Sequence, residues 1–161
     1  MPRMPRSVVT MAIRVLRANH VAFQTHTYVW AAKGGTAASS KALGVAEHQV
    51  IKTLIFEDEC RNPMCILMHG DHEVSAKNLA RLIGCKSVAP CAPAVADRHS
   101  GYQVGGTSPF GLRRVMPLYM QQTIAALPTI YINGGARGFL VEIAAADLQR
   151  ILTPTLVTIA V

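Results

Sequence analysis

Lys52 is the residue from which a chemistry can first be argued. It lies in Val50–Phe56 (VIKTLIF), where alternation puts Val50, Lys52, Leu54 and Phe56 on one face and Ile51, Thr53 and Ile55 on the other. Both faces are otherwise mainly apolar, so the segment reads as a strand held between two layers. An ammonium in that setting must snorkel to water or meet an anion, because desolvating an unpaired charge costs several kcal/mol. Two readings follow: a lysine at the strand edge with its head in water, or a cation facing a cleft, where it could hold a phosphate or a polarised carbonyl.

Two glycine-rich stretches could supply the complementary groups. Gly101-Tyr102-Gln103-Val104-Gly105-Gly106-Thr107-Ser108-Pro109-Phe110-Gly111 carries four glycines and a proline in eleven residues. Such a loop lets the backbone approach a ligand closely, and its amides could cradle an anion or an oxyanion. It is neither a phosphate-binding Walker loop nor a dinucleotide fingerprint. Asn133-Gly134-Gly135-Ala136-Arg137-Gly138 separates two apolar runs. A hairpin turn explains its Asn and Gly, but three glycines and an arginine exceed what a simple turn requires. A second amide-rich loop with a cation is the alternative.

No nucleophile–base arrangement with recognisable spacing is present, so any hydrolysis must rest on positioning, electrostatics and the substrate's own groups. Cys60, Cys65, Cys85 and Cys91 are separated by four, nineteen and five residues and form no CxxC knuckle. They read as reduced thiols, and no structural zinc is expected. His69 and His72 form an H-x-x-H that is expected to fall in a turn. No metal and no cofactor is assigned.

The elements that must position these residues can be read from periodicity and punctuation. Met11–Asn19 is a short amphipathic helix, and Val21–Val29 is extended. Ala37–Leu43 is a helix stopped by Gly44; Val50–Phe56 and Met64–Met68 are strands across a polar turn containing Asn62-Pro63. Ser75 caps a helix that runs to Ile83 and ends at Gly84. Thr129–Ile132 and Phe139–Ile143 are strands joined by the NGGARG turn, and Asp147–Leu152 is a closing helix. Strands mixed with short helices, without a regular βαβ period, give an α+β fold: a mixed, mostly antiparallel, barrel-like sheet flanked by short helices.

The 161 residues suit one domain with its own core, residues 1–161, with 1–10 expected to be a flexible start. Half the residues are apolar and 16% are charged, which excludes a disordered chain and a coiled coil. Sixteen Lys and Arg against nine Asp and Glu give a net charge of +7 and point to a polyanionic partner. Arg3, Arg6, Arg14, Arg17, Arg113 and Arg114 are candidates to meet nucleic-acid phosphates. No apolar stretch reaches the ~20 residues that a membrane helix needs, so a cytoplasmic protein without a membrane partner is expected.

The chain resembles the YbaK/EbsC family of aminoacyl-tRNA editing domains. The resemblance is carried by HTY at His26–Tyr28, VIKTL at Val50–Leu54, GYQVGGTSPFG at Gly101–Gly111 and TIYINGGARGFLVEI at Thr129–Ile143, followed by Ala146-Asp147-Leu148. These occur in the family's order across roughly residues 12–152. Two stretches depart from its pattern. Tyr28-Val29-Trp30-Ala31 stands where an acidic stretch is common, and Thr36-Ala37-Ala38-Ser39-Ser40 lacks the glutamate usual in the next helix.

The resemblance implies a mixed α/β barrel-like domain that cleaves, in trans, the ester between an amino acid and the terminal adenosine of tRNA. The sub-type it resembles most is the Cys-tRNA(Pro) deacylase, in which the substrate's own thiol attacks; members that remove alanine use water. It implies that Lys52 binds near the terminal adenosine and ester, and that Gly105 and Gly106 offer amides to the ester carbonyl. Tyr28, Thr53 and Tyr102 would shape the pocket, and the loop of Asn133, Gly134 and Arg137 would line the aminoacyl site with Ser108 nearby. Aminoacylated tRNA(Pro) is the implied partner, with prolyl-tRNA synthetase as a second one. Two other readings stand beside this: a catalytically silent RNA-binding member of the same fold, and a small-molecule hydrolase that uses His69 and His72.

Overall fold

Capping residues and glycine stops set the ends of the helices. The computed structural model describes residues 9–161. Helix α1 (Met11–Ala18) starts at Thr10, whose hydroxyl accepts a hydrogen bond from the Ile13 amide and donates one to the Gly134 carbonyl. Thr10 is therefore tied down and Val9 is exposed, while residues 1–8 of the expected flexible start, with Arg3 and Arg6, lie outside the described residues. Helix α2 (Gly35–Leu43) ends at Gly44, and α3 (Ala76–Ile83) runs from a Ser75 cap to Gly84, as the sequence predicts. Helices α4 (Pro93–Ser100) and α5 (Ala145–Leu152) complete the set among the described residues.

The strands are β1 (Gln24–Thr27), β2 (Val50–Asp58), β3 (Pro63–His69), β4 (Val88–Pro90), β5 (Leu118–Gln121), β6 (Thr129–Ala136), β7 (Phe139–Ala144) and β8 (Thr155–Val157). They form one mixed sheet in the order β1-β7-β6-β2-β3-β5-β8, with β4 also paired to β2. The pairs β1–β7, β6–β7, β2–β3 and β2–β4 are antiparallel; β2–β6, β3–β5 and β5–β8 are parallel. This is the α+β, mixed and mostly antiparallel architecture that the sequence leads one to expect.

Apolar alternation on β2 and β3 divides the core into two. Ile51, Ile55, Cys65 and Leu67 pack with Ile13 and Leu16 of α1, Leu148 of α5 and Ile130 and Ile132 of β6. Phe56, Met64, Ile66 and Met68 pack with Leu79 and Ala80 of α3. Every residue of β3 is buried, so the expected layering on both sides holds for this hairpin.

Three differences from the sequence reading matter for the site. The NGGARG segment is not a loop between short strands. Strand β6 continues through Asn133–Ala136, absorbs the extra residues as a bulge, and turns only at Arg137-Gly138. His69 is the last residue of β3 and fully buried, rather than part of a turn. Strand β4 and helix α4, neither of them predicted, bound the region where the site lies.

Candidate active site

Strand β2 is paired along its whole length on one side and only at its ends on the other. Its even-numbered residues direct their backbone toward β3, as the Val50 carbonyl shows by accepting from the Gly70 amide. Its odd-numbered residues point the other way. There β6 pairs with Val50 and Ile51, and β4 pairs with Phe56–Asp58. The Ile55 carbonyl accepts from the Cys91 amide, but the outward amide and carbonyl of Thr53 have no strand partner. The sheet thus has a gap along residues 52–55.

A cavity of about 730 Å³ opens at this gap. Val50–Phe56 form one wall; Tyr28, Trp30, Lys33, Thr36 and Ser39 form a second; Val104, Gly105, Thr107, Asn133, Arg137 and Leu140 form a third. Lys52, Thr53, Tyr28, Gly105, Asn133 and Arg137 are therefore brought together. Tyr102, Ser108, Gly106 and Gly134 do not line the cavity.

Lys52 meets an anion, one of the two outcomes that its apolar strand demanded. Its side chain is 17% exposed, and Nζ lies 3.3 Å from Oε1 of Glu73, which is 84% exposed. Next to it, the Thr53 hydroxyl oxygen is buried and has no hydrogen-bond partner among the described residues. Buried polar atoms are rarely left so, since the lost hydration is not replaced. Thr53 is among the residues that line the cavity.

The loop at 101–111 is held by its own polar groups. The Tyr102 hydroxyl donates to the Phe110 carbonyl, the Ser100 hydroxyl bonds both backbone groups of Tyr102, and the Phe110 amide donates to Ser108 Oγ. Tyr102 and Ser108 are buried and build the loop from within, and burial pushes the Tyr102 phenol up to about 12. The two glycine amides expected to serve a ligand are divided. The Gly106 amide donates to the Gln103 carbonyl at 2.7 Å, whereas the Gly105 amide has no partner among the described residues. Gly105 has φ +93°, a conformation that side chains oppose, and a Cβ there would stand 3.0 Å from Trp30 Nε1.

Asn133 and Arg137 fasten this loop to the β6–β7 hairpin. Asn133 Oδ1 accepts from the Gly135 and Ala136 amides, while its Nδ2 donates to the Gly105 and Ala136 carbonyls. All of these contacts are to backbone, so Asn133 positions Gly105. Arg137 Nε donates to the Val104 carbonyl at 2.9 Å, and its guanidinium stacks 4.1 Å over the Trp30 ring. The Gly134 carbonyl accepts from Thr10, and a Cβ on Gly134 would stand 2.5 Å from the Phe139 ring. Close packing accounts for that glycine. Tyr28 donates its amide to the Gly138 carbonyl, and burial raises its phenol above the usual range against the opposing hydrogen bonds to Gly138 and Ser39.

Sequence reasoning missed Trp30, Glu73 and Cys91. Trp30 is the one tryptophan of the chain and stands in the stretch Tyr28-Val29-Trp30-Ala31 that departs from the family's pattern, the local signal it carries. Burial and the Glu57 carboxylate push the Cys91 thiol up to about 12, so it is protonated. Among the described residues no cavity-lining hydroxyl or thiol is hydrogen-bonded to a histidine. The wall offers placement and charge rather than a nucleophile with its base.

Two groups of side chains have metal-ligand chemistry, His48–His69–Asp71 and Glu57–Cys91–His99. Both are occupied by internal bonds. His69 Nδ1 donates to the His48 carbonyl and Nε2 accepts from Thr123 Oγ1, each at 2.7 Å, while the ring stacks 3.7 Å from His48. Burial, above all, lowers the His69 pKa and keeps the ring neutral. His99 Nε2 donates to Glu57, and its Nδ1 faces Arg114 at 3.4 Å. A metal would have to displace these bonds.

A strand gap, a half-buried lysine paired with a carboxylate, and a glycine loop strapped to a bulged hairpin line one cavity. The chain belongs to the aminoacyl-tRNA editing domain family, which matches residues 32–151. It is 26% identical to a candidate Cys-tRNA(Pro)/Cys-tRNA(Cys) deacylase, EbsC, of Enterococcus faecalis, over 84% of this chain and 83% of that one. It is also 26% identical to a proline–tRNA ligase of Geobacter metallireducens, over 71% of this chain and 19% of the ligase. In fold it is similar to a solved candidate trans-editing enzyme for prolyl-tRNA synthetase (TM-score 0.82, 19% identity, 96% of this chain and 99% of that one). Among the described residues no helix is long and apolar enough to cross a membrane.

Proposed function

We propose that this chain is a trans-acting deacylase of mischarged aminoacyl-tRNA, with Cys-tRNA(Pro) as the substrate that fits best. The observation that carries the reading is the cavity at the gap in β2: Lys52, the unpartnered Thr53 hydroxyl and Gly105, whose amide is free among the described residues, all line it, and no cavity-lining hydroxyl or thiol is hydrogen-bonded to a histidine there. Lys52 holds the ester and the adjoining ribose-phosphate end, and the Gly105 amide takes the carbonyl oxygen as charge builds on it. The attacking atom is the substrate's own thiol: its sulfur bonds to the carbonyl carbon, the ester C–O bond breaks, the thiol proton passes to the departing ribose oxygen, and the acyl group leaves as a cyclic thioester that water then opens. The similarity to EbsC and to the proline–tRNA ligases supports tRNA(Pro) as the carrier and prolyl-tRNA synthetase as a partner. Exposed Arg14, Arg17, Arg113 and Arg114 are available to the tRNA backbone.

The test uses tRNA(Pro) charged separately with Cys, Ala and Pro, with release of labelled amino acid followed for the wild type and Lys52→Ala. Cleavage of the Cys ester, slowed about a hundredfold or more in the variant, is expected. Because Lys52 reaches the cavity rather than the core, the variant keeps its fold by circular dichroism. Preference for the Ala ester would move the mechanism to attack by water. Cleavage of none of the three would overturn the deacylase reading.

A further inference from the structure

We infer that Glu73 is the ammonium-binding residue of the cavity, selecting esters whose amino acid has a free, protonated α-amine over those whose nitrogen is acylated. This rests on the deacylase reading and deepens it. The charges on the cavity wall are Lys33, Lys52, Arg137 and Glu73, so among the described residues one carboxylate faces three cations. An aminoacyl ester brings its own ammonium on the carbon next to the carbonyl. If Lys52 and the Gly105 amide attend to the ester, that ammonium enters a wall of like charge. Glu73, 3.3 Å from Lys52 Nζ, is the group that can lie between the two ammonium ions and satisfy both.

Its mounting suits that task. The Glu73 amide donates to the Val161 carbonyl at 3.2 Å, and the Glu73 carbonyl accepts from the Val161 amide at 2.9 Å. The flanking backbone is held by the Val74–Ala160 bridge and by the Ser75 amide on the Ile159 carbonyl. The backbone is clamped while the carboxylate is 84% exposed, free to turn from Lys52 toward an arriving cation. An exposed carboxylate that served only as counter-ion to Lys52 would contribute little to stability and would need no such clamp.

The experiment compares Cys-tRNA(Pro) with N-acetyl-Cys-tRNA(Pro), which share ester and thiol and differ in the ammonium. It uses wild type, Glu73→Gln and Glu73→Asp at about pH 6, below the α-amino range. Each kcat/KM is corrected for spontaneous hydrolysis of its ester. Wild type is expected to favour the free amine about tenfold or more, in line with a charge-assisted hydrogen bond. Glu73→Gln should abolish that preference by losing activity on the free amine alone, and Glu73→Asp should restore part of it. An equal loss on both esters would show that Glu73 acts only through Lys52 and would overturn the inference while leaving the deacylase reading intact. So would a wild type without preference. Cleavage of neither ester by the wild type would overturn both.

Discussion

Thr53 shows how a single atom can separate a site from a scaffold. Its hydroxyl is buried without a partner, so it costs the folded state hydration that nothing within the chain returns. Thr53→Val keeps the shape and removes the orphan oxygen. The variant should be more stable by about 1 kcal/mol in urea denaturation yet slower in deacylation, an opposition that a purely structural threonine would not produce. The placement of Lys52 on the cavity beside a carboxylate is legible in sequence, because an ammonium in an apolar strand needs water or an anion. Tyr102 and Ser108 lie off the cavity for a reason hidden in sequence: a polar residue in a glycine loop looks the same whether it faces a ligand or the loop. Only the Tyr102 hydroxyl on the Phe110 carbonyl, eight residues on, reveals which.

Among the elements, the β6–β7 hairpin and the 101–111 loop behave as one unit. A Cβ on Gly106 would stand 2.7 Å from the Arg137 nitrogen and 2.8 Å from the Ala136 carbonyl carbon, both of them backbone. Gly106→Ala should therefore push the loop off the hairpin, at a cost of about 1–3 kcal/mol read from the denaturation midpoint, and weaken catalysis by displacing Gly105. The principal strands and the helix stops followed from alternation and capping residues. Helix α4 escaped detection because its buried positions are Ala96 and Ser100, which leave no apolar stripe, and β4 because it is three residues long and ends in proline. The bulge in β6 was hidden as well, since Asn133 and its glycines also spell an ordinary turn. What distinguishes them is a contact with Gly105, 28 positions away.

At the scale of the molecule, acid should loosen the fold through His69. Its imidazole is buried and neutral, held below the ordinary histidine value by burial, against the opposing influence of the His48 carbonyl and the Asp71 charge. The unfolded chain binds a proton near pH 6.5 whereas the native chain resists it, so this contribution is fully present above about pH 6.5 and is lost as pH falls toward the native value. Melting temperature should drop between about pH 7.5 and about pH 5.5 in the wild type, with a shallower slope in His69→Gln. The gap in the sheet has a further consequence for how the molecule can be watched. A nine-residue strand bonded to β3 would protect its amides from deuterium, yet the Thr53 N–H points into the cavity with no partner in the register. It exchanges with solvent while its neighbours Lys52 and Leu54 stay protected, and an occupant that covers the gap would slow it. The architecture thus carries its own isotopic reporter of occupancy at the centre of the fold.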